Sequence, residues 1–304
     1  MTGGTGLDTS HYKARVAFEI KARLGEGPVW DIDLQRLYWV DIEEREFHRF
    51  YPEKGENRSV AMPDMVSAVA LTRTSKVLCA FSKDLTLMSE DGDIGQVIHS
   101  MQDEPLTNRY NDGKCDTLGR FWIGSMSKIG TPRAGAIYRL DADGSLTRMI
   151  SDVCTSNGLG WSPDNKTMYH TDSPLGEIHA FDFDLEAGAI SNSRLFARIP
   201  SDQGRPDGLT VDTQGGVWSA HWGGGCVTRY LPNGTVDRVI EMPVPRPTSV
   251  IFGGRDFSTL FVTSARIDLT DEELKNAPLS GSIFSIETDY VGLPTPRFDD
   301  RQLA

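Results

Sequence analysis

The chain has 304 residues, with 31 Lys and Arg against 43 Asp and Glu, giving a formal net charge of −12. It contains no basic run of five or more residues, which argues against nucleic acid as a partner, because phosphate binding needs a concentrated cationic face. It contains no apolar stretch near the ~20 residues of a membrane span, and a domain of this size buries enough surface to need no disulfide staple.

Residues 1–13 (MTGGTGLDTSHYK) read as a disordered tail, and their lack of an apolar core argues against a secretory signal. The remainder, 14–304, reads as one domain. Ala14 to Ile20 alternates as a strand. A short segment then recurs: LGEGPVWD from Leu24, MVSAVALT from Met65, RYNDGKCD from Arg109, TSNGLGWS from Thr155, RPDGLTVD from Arg205 and RPTSVIFG from Arg246. Strand-like runs bounded by DG, SPDN and PNG turns follow each copy, as in LYWVDI then EFHRFY, or GRFWIGSM then GAIYRLDADG. A single helix is expected over Leu269 to Ala277, with Thr270 as N-cap before acidic residues.

Aligned with one another, the segments share one polar register: Glu26, Ser67, Asn111, Asn157, Asp207 and either Thr248 or Ser249. Successive gaps are 41, 44, 46, 50 and 41 or 42 residues, and an apolar strand residue (Trp39, Leu78, Trp122, Tyr169, Trp218, Phe261) follows 11 to 13 residues later. A period in the forties with several strands per unit predicts an all-β fold, a six-bladed β-propeller. The Ala14–Ile20 strand is expected to close the last blade.

In a propeller, equivalent positions form a ring about one axis. An isolated Asn-Gly or Asp-Gly is most simply a turn. Here, however, Asn157-Gly158 and Asp207-Gly208 begin strands and share their register with Glu26 and Asn111. Glu, Asn and Asp converging on one axis supply hard oxygen donors and two negative charges, which predicts a central metal site for one divalent cation. Ca2+ and Mg2+ fit these donors best, and Zn2+, Mn2+ or Fe2+ also accept carboxylates. A purely structural ion is the competing reading. His170 and His221 belong to no HxH or HExxH pattern and read as core or lining residues. The Trp222–Gly225 run matches no nucleotide-binding pattern. Cys79, Cys115, Cys154 and Cys226 form no CxxC pair and read as buried free thiols, placing the chain in the reducing cytoplasm.

The segments GEGPVWD, RYNDGKCDTLGRFWIGSM, SNGLGWSPDNKTMYHTDS and RPDGLTVDTQGGVWSAHWGGG, in this order across roughly residues 17–290, resemble the gluconolactonase/regucalcin family of sugar-lactone lactonases. The resemblance implies a six-bladed propeller with one divalent ion in its central tunnel and hydrolysis of a small-molecule sugar lactone to the aldonic acid. It implies that Glu26, Asn157 and Asp207 hold the ion, that Asp207 is also the catalytic base, and that Arg109 and Asn111 contact substrate. Asp112 reads as an orienting or turn residue. Two departures are small: Gly124-Ser125-Met126 replaces the more common Gly-Thr-Met, and Tyr110 occupies a variable position. The alternatives are a lactonase or esterase acting on a non-sugar or organophosphate ester, and a non-catalytic calcium-binding propeller.

Overall fold

A computed structural model describes residues 12–303. The tail expected over 1–13 therefore lies outside the described residues, apart from Tyr12 and Lys13. Tyr12 donates its hydroxyl to Asp289 Oδ2 at 3.0 Å and meets the Tyr290 ring edge-on at 6.4 Å.

The chain folds into six four-stranded antiparallel sheets arranged as a β-propeller. A leading strand, β1 (Arg15–Phe18), precedes blade one, β2–β5 (Gly25–Asp31, Arg36–Asp41, Glu46–Tyr51, Glu56–Ala61). Blade two is β6–β9 (Val66–Leu71, Val77–Phe81, Asp84–Met88, Ile94–Ser100), and blade three is β10–β13 (Asn108–Cys115, Phe121–Ser127, Gly135–Leu140, Leu146–Val153). Blade four is β14–β17 (Ser156–Trp161, Thr167–Asp172, Glu177–Asp184, Ala189–Arg198), and blade five is β18–β21 (Arg205–Val211, Val217–Trp222, Cys226–Tyr230, Val236–Glu241). Blade six is β22–β24 (Pro247–Gly253, Thr259–Ser264, Ile283–Glu287), and its outermost strand is β1, which pairs with β24 through Arg15↔Ser285 and Val16↔Phe284. The expected closure by Ala14–Ile20 is thus observed. Each innermost strand packs against the next, and β22 returns to β2, so the ring is complete. The expected helix is α1 (Asp271–Asn276), an excursion within blade six. Its start is fixed by a capping box, in which Thr270 Oγ1 accepts from Glu273 N at 3.2 Å and Glu273 Oε2 accepts from Thr270 N at 2.8 Å.

Burial falls outward through each blade, and the sequence follows it. The first two strands of blades one and two are buried along their whole length, whereas the outer strands ENRSVA, IGQVIHS and AISNSRLFAR are largely exposed and polar. Polar outer strands discourage edge-to-edge pairing with other chains. The aromatic and apolar second-strand residues expected from the repeat, Trp39, Leu78, Trp122, Tyr169, Trp218 and Phe261, are all buried. They pack blade to blade: the Trp122 ring meets Trp161 of blade four at 6.1 Å, and Trp218 meets Phe252 of blade six at 5.6 Å. Such edge-on aromatic contacts add to the transfer energy of the buried rings.

Two features of the innermost strands position the site. First, every one of them breaks register with its neighbour at the polar repeat position, between Glu26 and Val29, Val66 and Ala68, Tyr110 and Gly113, Asn157 and Leu159, Pro206 and Leu209, and Pro247 and Val250. A bulge re-aims side chains and frees backbone groups from the ladder. Second, five residues farther along come Asp31, Thr72, Asp116, Ser162, Asp212 and Gly253, a spacing that puts Thr248 rather than Ser249 in the polar register. Most of these residues hold the turn at the other end of the blade. Asp116 Oδ1 accepts from Leu118 N and Arg120 N at 3.0 and 3.1 Å, and Asp212 Oδ1 accepts from Gln214 N and Gly216 N, both at 2.9 Å. Their second oxygens accept the indole N–H of Trp122 and Trp218 at 3.0 and 2.8 Å. The turn is thereby locked to the buried aromatic.

After β24 the chain crosses this same end of the ring as a strap. Thr213 N donates to Val291 O at 2.8 Å, Phe298 N to Leu71 O at 2.8 Å and Asp299 N to Gly119 O at 2.9 Å, which ties blades five, two and three together. Phe298 is fully buried in the core shared by blades two and three.

Candidate functional site on the propeller axis

At the bulged end of the ring, blades one, three, four and five present Glu26, Asn111, Asn157 and Asp207, all buried. The Asn-Gly and Asp-Gly dipeptides are not turns. A Cβ on Gly158 would lie 2.6 Å from Asp207 O, and one on Gly208 would lie 2.0 Å from Ser249 Oγ. Glycine is required there because adjacent inner strands approach within backbone contact. The other two ring positions are structural: Ser67 Oγ donates to Ala80 O of its own blade at 3.2 Å, and Thr248 Oγ1 donates to Gly25 O of the next blade at 2.6 Å.

A chain of amide contacts runs across blades three and four. Arg109 Nη1 donates to Tyr110 O at 2.8 Å and to Asn111 Oδ1 at 2.6 Å. Asn111 Nδ2 donates to Ser156 O at 2.8 Å and to Asn157 Oδ1 at 2.7 Å. Asn157 Nδ2 in turn donates to Ser173 Oγ at 2.8 Å. Arg109, Asn111 and Asn157 therefore form one connected unit, oriented by Ser173 from the turn after β15. Glu26 Oε2 accepts from Gly27 N at 3.1 Å, while Asp207 Oδ1 is buried and has no hydrogen-bond partner among the described residues.

The electrostatics are those of buried acids held close together. Burial, and then the charge of Asp112, push the Glu26 carboxyl up to about 8. Asp207 is raised well above the usual carboxylate range by burial and then by Glu26 and Asp112. Asp112, expected as an orienting or turn residue, is buried beside them. Its carboxyl is raised by burial, an effect offset by Lys114 and by the Gly113 N–H, which donates to Oδ1 at 2.7 Å. Lys114 spans the tunnel to donate from Nζ to Leu209 O at 2.7 Å, linking blade three to blade five two residues after Asp207. Below these groups the tunnel widens into a cavity of about 330 Å³, walled by all six inner strands and floored by the strap at Leu293–Pro296.

Glu26, Asn157 and Asp207 together offer two carboxylates and one amide oxygen. Among the described residues no cluster of three or more His, Cys, Asp or Glu side chains is arranged to hold a metal. Even so, the mixed set fits a hard divalent cation, because it is all oxygen, because buried like charges that raise one another need a counter-charge, and because Asp207 Oδ1 has no partner among the described residues. Without such a cation these acids penalise the fold as they ionise. Their folded-state pKa values lie above the unfolded ones, so the stability they allow at low pH is lost as pH rises from the ordinary carboxylate range through about 8. Buried His48, His170 and His221, depressed to about 3, 3 and 4 by burial, act at the other end and cost stability only as pH falls below their ordinary range. Chelator-treated protein is accordingly expected to lose thermal stability between about pH 6.5 and 8, and excess divalent cation is expected to flatten that slope. A melting temperature independent of pH in the chelator would contradict the clustering of the acids.

His170 is buried, with Nε2 at 3.0 Å from Ser156 Oγ, and His221 contacts Gln203 O through Nδ1 at 3.2 Å, so both sit in the core as expected. Three of the four free cysteines are buried. Cys154 is half-buried, because it lies in the linker ahead of β14 where its N–H caps Asp172 Oδ2 at 2.9 Å. Ser173 and Lys114 were missed as site residues by the sequence reading. Lys114 is signalled by a lone cation two positions after Asp112 in an otherwise apolar strand end. Ser173 lies in a top turn and carries no pattern of its own.

Residues 24–266 match the family described as the SMP-30/Gluconolactonase/LRE-like region. The chain belongs to this gluconolactonase/regucalcin family. It is 36% identical over 277 residues to a 6-deoxy-6-sulfogluconolactonase of Pseudomonas putida, covering 90% of this chain and 94% of that one. It is 34% identical over 287 residues to a pentonolactonase of Haloferax volcanii, covering 93% and 97%. Among solved structures, a calcium-binding regucalcin from Agrobacterium tumefaciens superposes with a TM-score of 0.90 at 31% identity, covering 94% of this chain and 97% of the other. None of the helices among the described residues is long and apolar enough to cross a membrane.

Proposed function

We propose that this chain hydrolyses a sugar lactone to the aldonic acid, with one divalent cation held by Glu26, Asn157 and Asp207. It is a hydrolase of carboxylic ester bonds. The observation that carries the reading is the convergence, on bulged inner strands of four blades, of buried oxygen donors beside a guanidinium whose Nε and Nη2 have no partner among the described residues. The bound ion supplies Lewis acidity toward the lactone carbonyl. The Asp207 carboxylate oxygen that does not bind the ion takes the proton of the attacking water and returns it to the ring oxygen as the ester bond breaks. Arg109 orients the substrate through its remaining N–H groups. Asn111 stands between Arg109 and Asn157 with both its N–H groups engaged, and its Oδ1, which accepts from Arg109, has a second lone pair to accept from a substrate hydroxyl. The free cysteines fit a reducing, cytoplasmic setting.

The test is a pH-indicator assay over glucono-, xylono-, arabinono- and galactonolactones, using protein stripped with chelator and reloaded with single divalent cations. At least one lactone is expected to open faster than its spontaneous rate. Background rates for every lactone with every cation would defeat the reading. In Glu26→Gln, which keeps shape and removes a charge, cation affinity measured by calorimetry is expected to fall about tenfold or more, equivalent to ~1.4 kcal/mol or above. Turnover at saturating cation is expected to be affected less.

A further inference from the structure

We infer that the cavity between the ring and the strap is a second binding site, for a small neutral molecule with a largely apolar body and one hydrogen-bond acceptor that meets the Lys114 ammonium. The inference does not depend on the lactonase reading above. Each inner strand supplies the cavity with residues just past its ring position, among them Val29, Ala70, Lys114, Val211 and Ile251, whereas Glu26, Asn111, Asn157 and Asp207 are not part of its wall. The cavity therefore lies beyond the ring, on the strap side. Its exposed wall residues, Thr117, Pro163 and Pro294, all belong to that end, so it opens there, beside the turns of blades three and four. Thr117 Oγ1 donates to Asn165 Oδ1 at 3.0 Å and ties the two turns together at this lip.

Size and wall chemistry set the body of the occupant. A volume of about 330 Å³ is about twice that of an engineered apolar cavity of ~150 Å³ that takes up benzene. Two fused rings, or an alkyl chain of similar bulk, fit such a space. The wall is largely aliphatic, with Pro28, Val29, Ala70, Val211, Ile251 and Leu293 on it. A concave apolar wall with a few fixed polar groups is the usual make-up of a small-molecule site.

The polar groups set its head. Lys114 is half-buried, and among the described residues its Nζ has one partner, Leu209 O at 2.7 Å. An ammonium carries three donors, so two remain for an acceptor in the cavity. Lys114 and Asp112 are the charged residues of the wall, and they are of opposite sign. Their charges offset each other there, so an anionic ligand would bring an uncompensated charge into an apolar space. A hydroxyl or carbonyl oxygen accepts from the ammonium without that cost. On the strap, Thr295 Oγ1 is buried without a partner among the described residues, a second polar group left for an occupant to satisfy.

The experiment titrates the protein, in excess Ca2+ and near neutral pH, with 2-naphthol, naphthalene and 2-naphthoate by calorimetry, in the wild type and in Lys114→Met. Crystals soaked in 6-bromo-2-naphthol locate the bromine by its anomalous scattering. One 2-naphthol per chain is expected to bind, about tenfold or more tighter than naphthalene, as for a hydrogen bond to a charged group. It should also bind about threefold or more tighter than 2-naphthoate. Methionine keeps the length of the side chain without its ammonium. In Lys114→Met the advantage of naphthol over naphthalene should therefore vanish, while naphthalene binds as before. The bromine should lie between Lys114 and the strap. If the variant does not fold, the wild-type ratios and the bromine position still decide the matter. No binding of 2-naphthol, or a bromine at the bulged mouth or on the outer surface, would overturn the site. Equal affinities for naphthol and naphthalene in the wild type, or an advantage kept in Lys114→Met, would overturn Lys114 as the anchor. Tighter binding of 2-naphthoate would overturn the neutral class.

Discussion

Asp207→Asn is expected to lower turnover by at least about a hundredfold, within the ~10²–10⁴-fold that general base catalysis contributes, in a protein that folds as well as the wild type. The substitution is nearly isosteric and leaves the bulge and Gly208 in place, but an amide cannot accept a proton from water. Stability should hold or rise, because one of three mutually repelling buried acids is removed. Three measurements together decide the matter: initial rates with saturating lactone, cation binding by calorimetry, and the melting temperature without cation. Activity within about threefold of wild type, with the cation still bound, would remove Asp207 as base.

Asp212→Ala is expected to destabilise the fold by ~3–5 kcal/mol, the range for breaking a buried ion pair by deleting one partner. Asp212 is fully buried and satisfies four donors: two turn amides through Oδ1, then the Trp218 indole at 2.8 Å and Arg229 Nε at 2.7 Å through Oδ2. Its removal strands all four. Arg229 keeps Asp237 at 2.9 Å and the Tyr290 ring at 4.0 Å, so its charge is not wholly uncompensated. For that reason the double variant Asp212→Ala/Arg229→Met should recover only part of the loss. Denaturant midpoints at constant m-value would measure both effects. A shift equivalent to less than about 1 kcal/mol in the single variant would mean that the turn amides and indole find water instead.

The blade count and the axial ring were legible because a propeller repeats its geometry. Equivalent positions must recur at blade-length intervals, and the unusual residues Glu26, Asn111, Asn157 and Asp207 stand out against apolar strands. Glycines 158 and 208 were visible as residues. Their reason, approach of the neighbouring strand to within a side chain's width, belongs to tertiary packing and has no local pattern. The same segments also end on Asp31, Asp116 and Asp212, whose recurrence five residues past the site register is as regular as the site itself but was overshadowed by it. Groups brought in from turns were not legible. Ser173 behind Asn157 and the Leu293–Pro296 floor of the tunnel lie at unrelated spacings, and only closure of the ring brings them near the axis.

The outermost strand of blade six is made of residues 15–18 and the rest of that sheet of residues 247–287. During synthesis the first strand must wait, unpaired, until almost the entire chain has left the ribosome. Glu26 and Asn157 emerge early, yet on a nascent open arc they have no common centre to face. Under the proposed assignment, loading of the ion is therefore a late step in the biogenesis of the enzyme, licensed by the last-made blade, which supplies none of the three ligands.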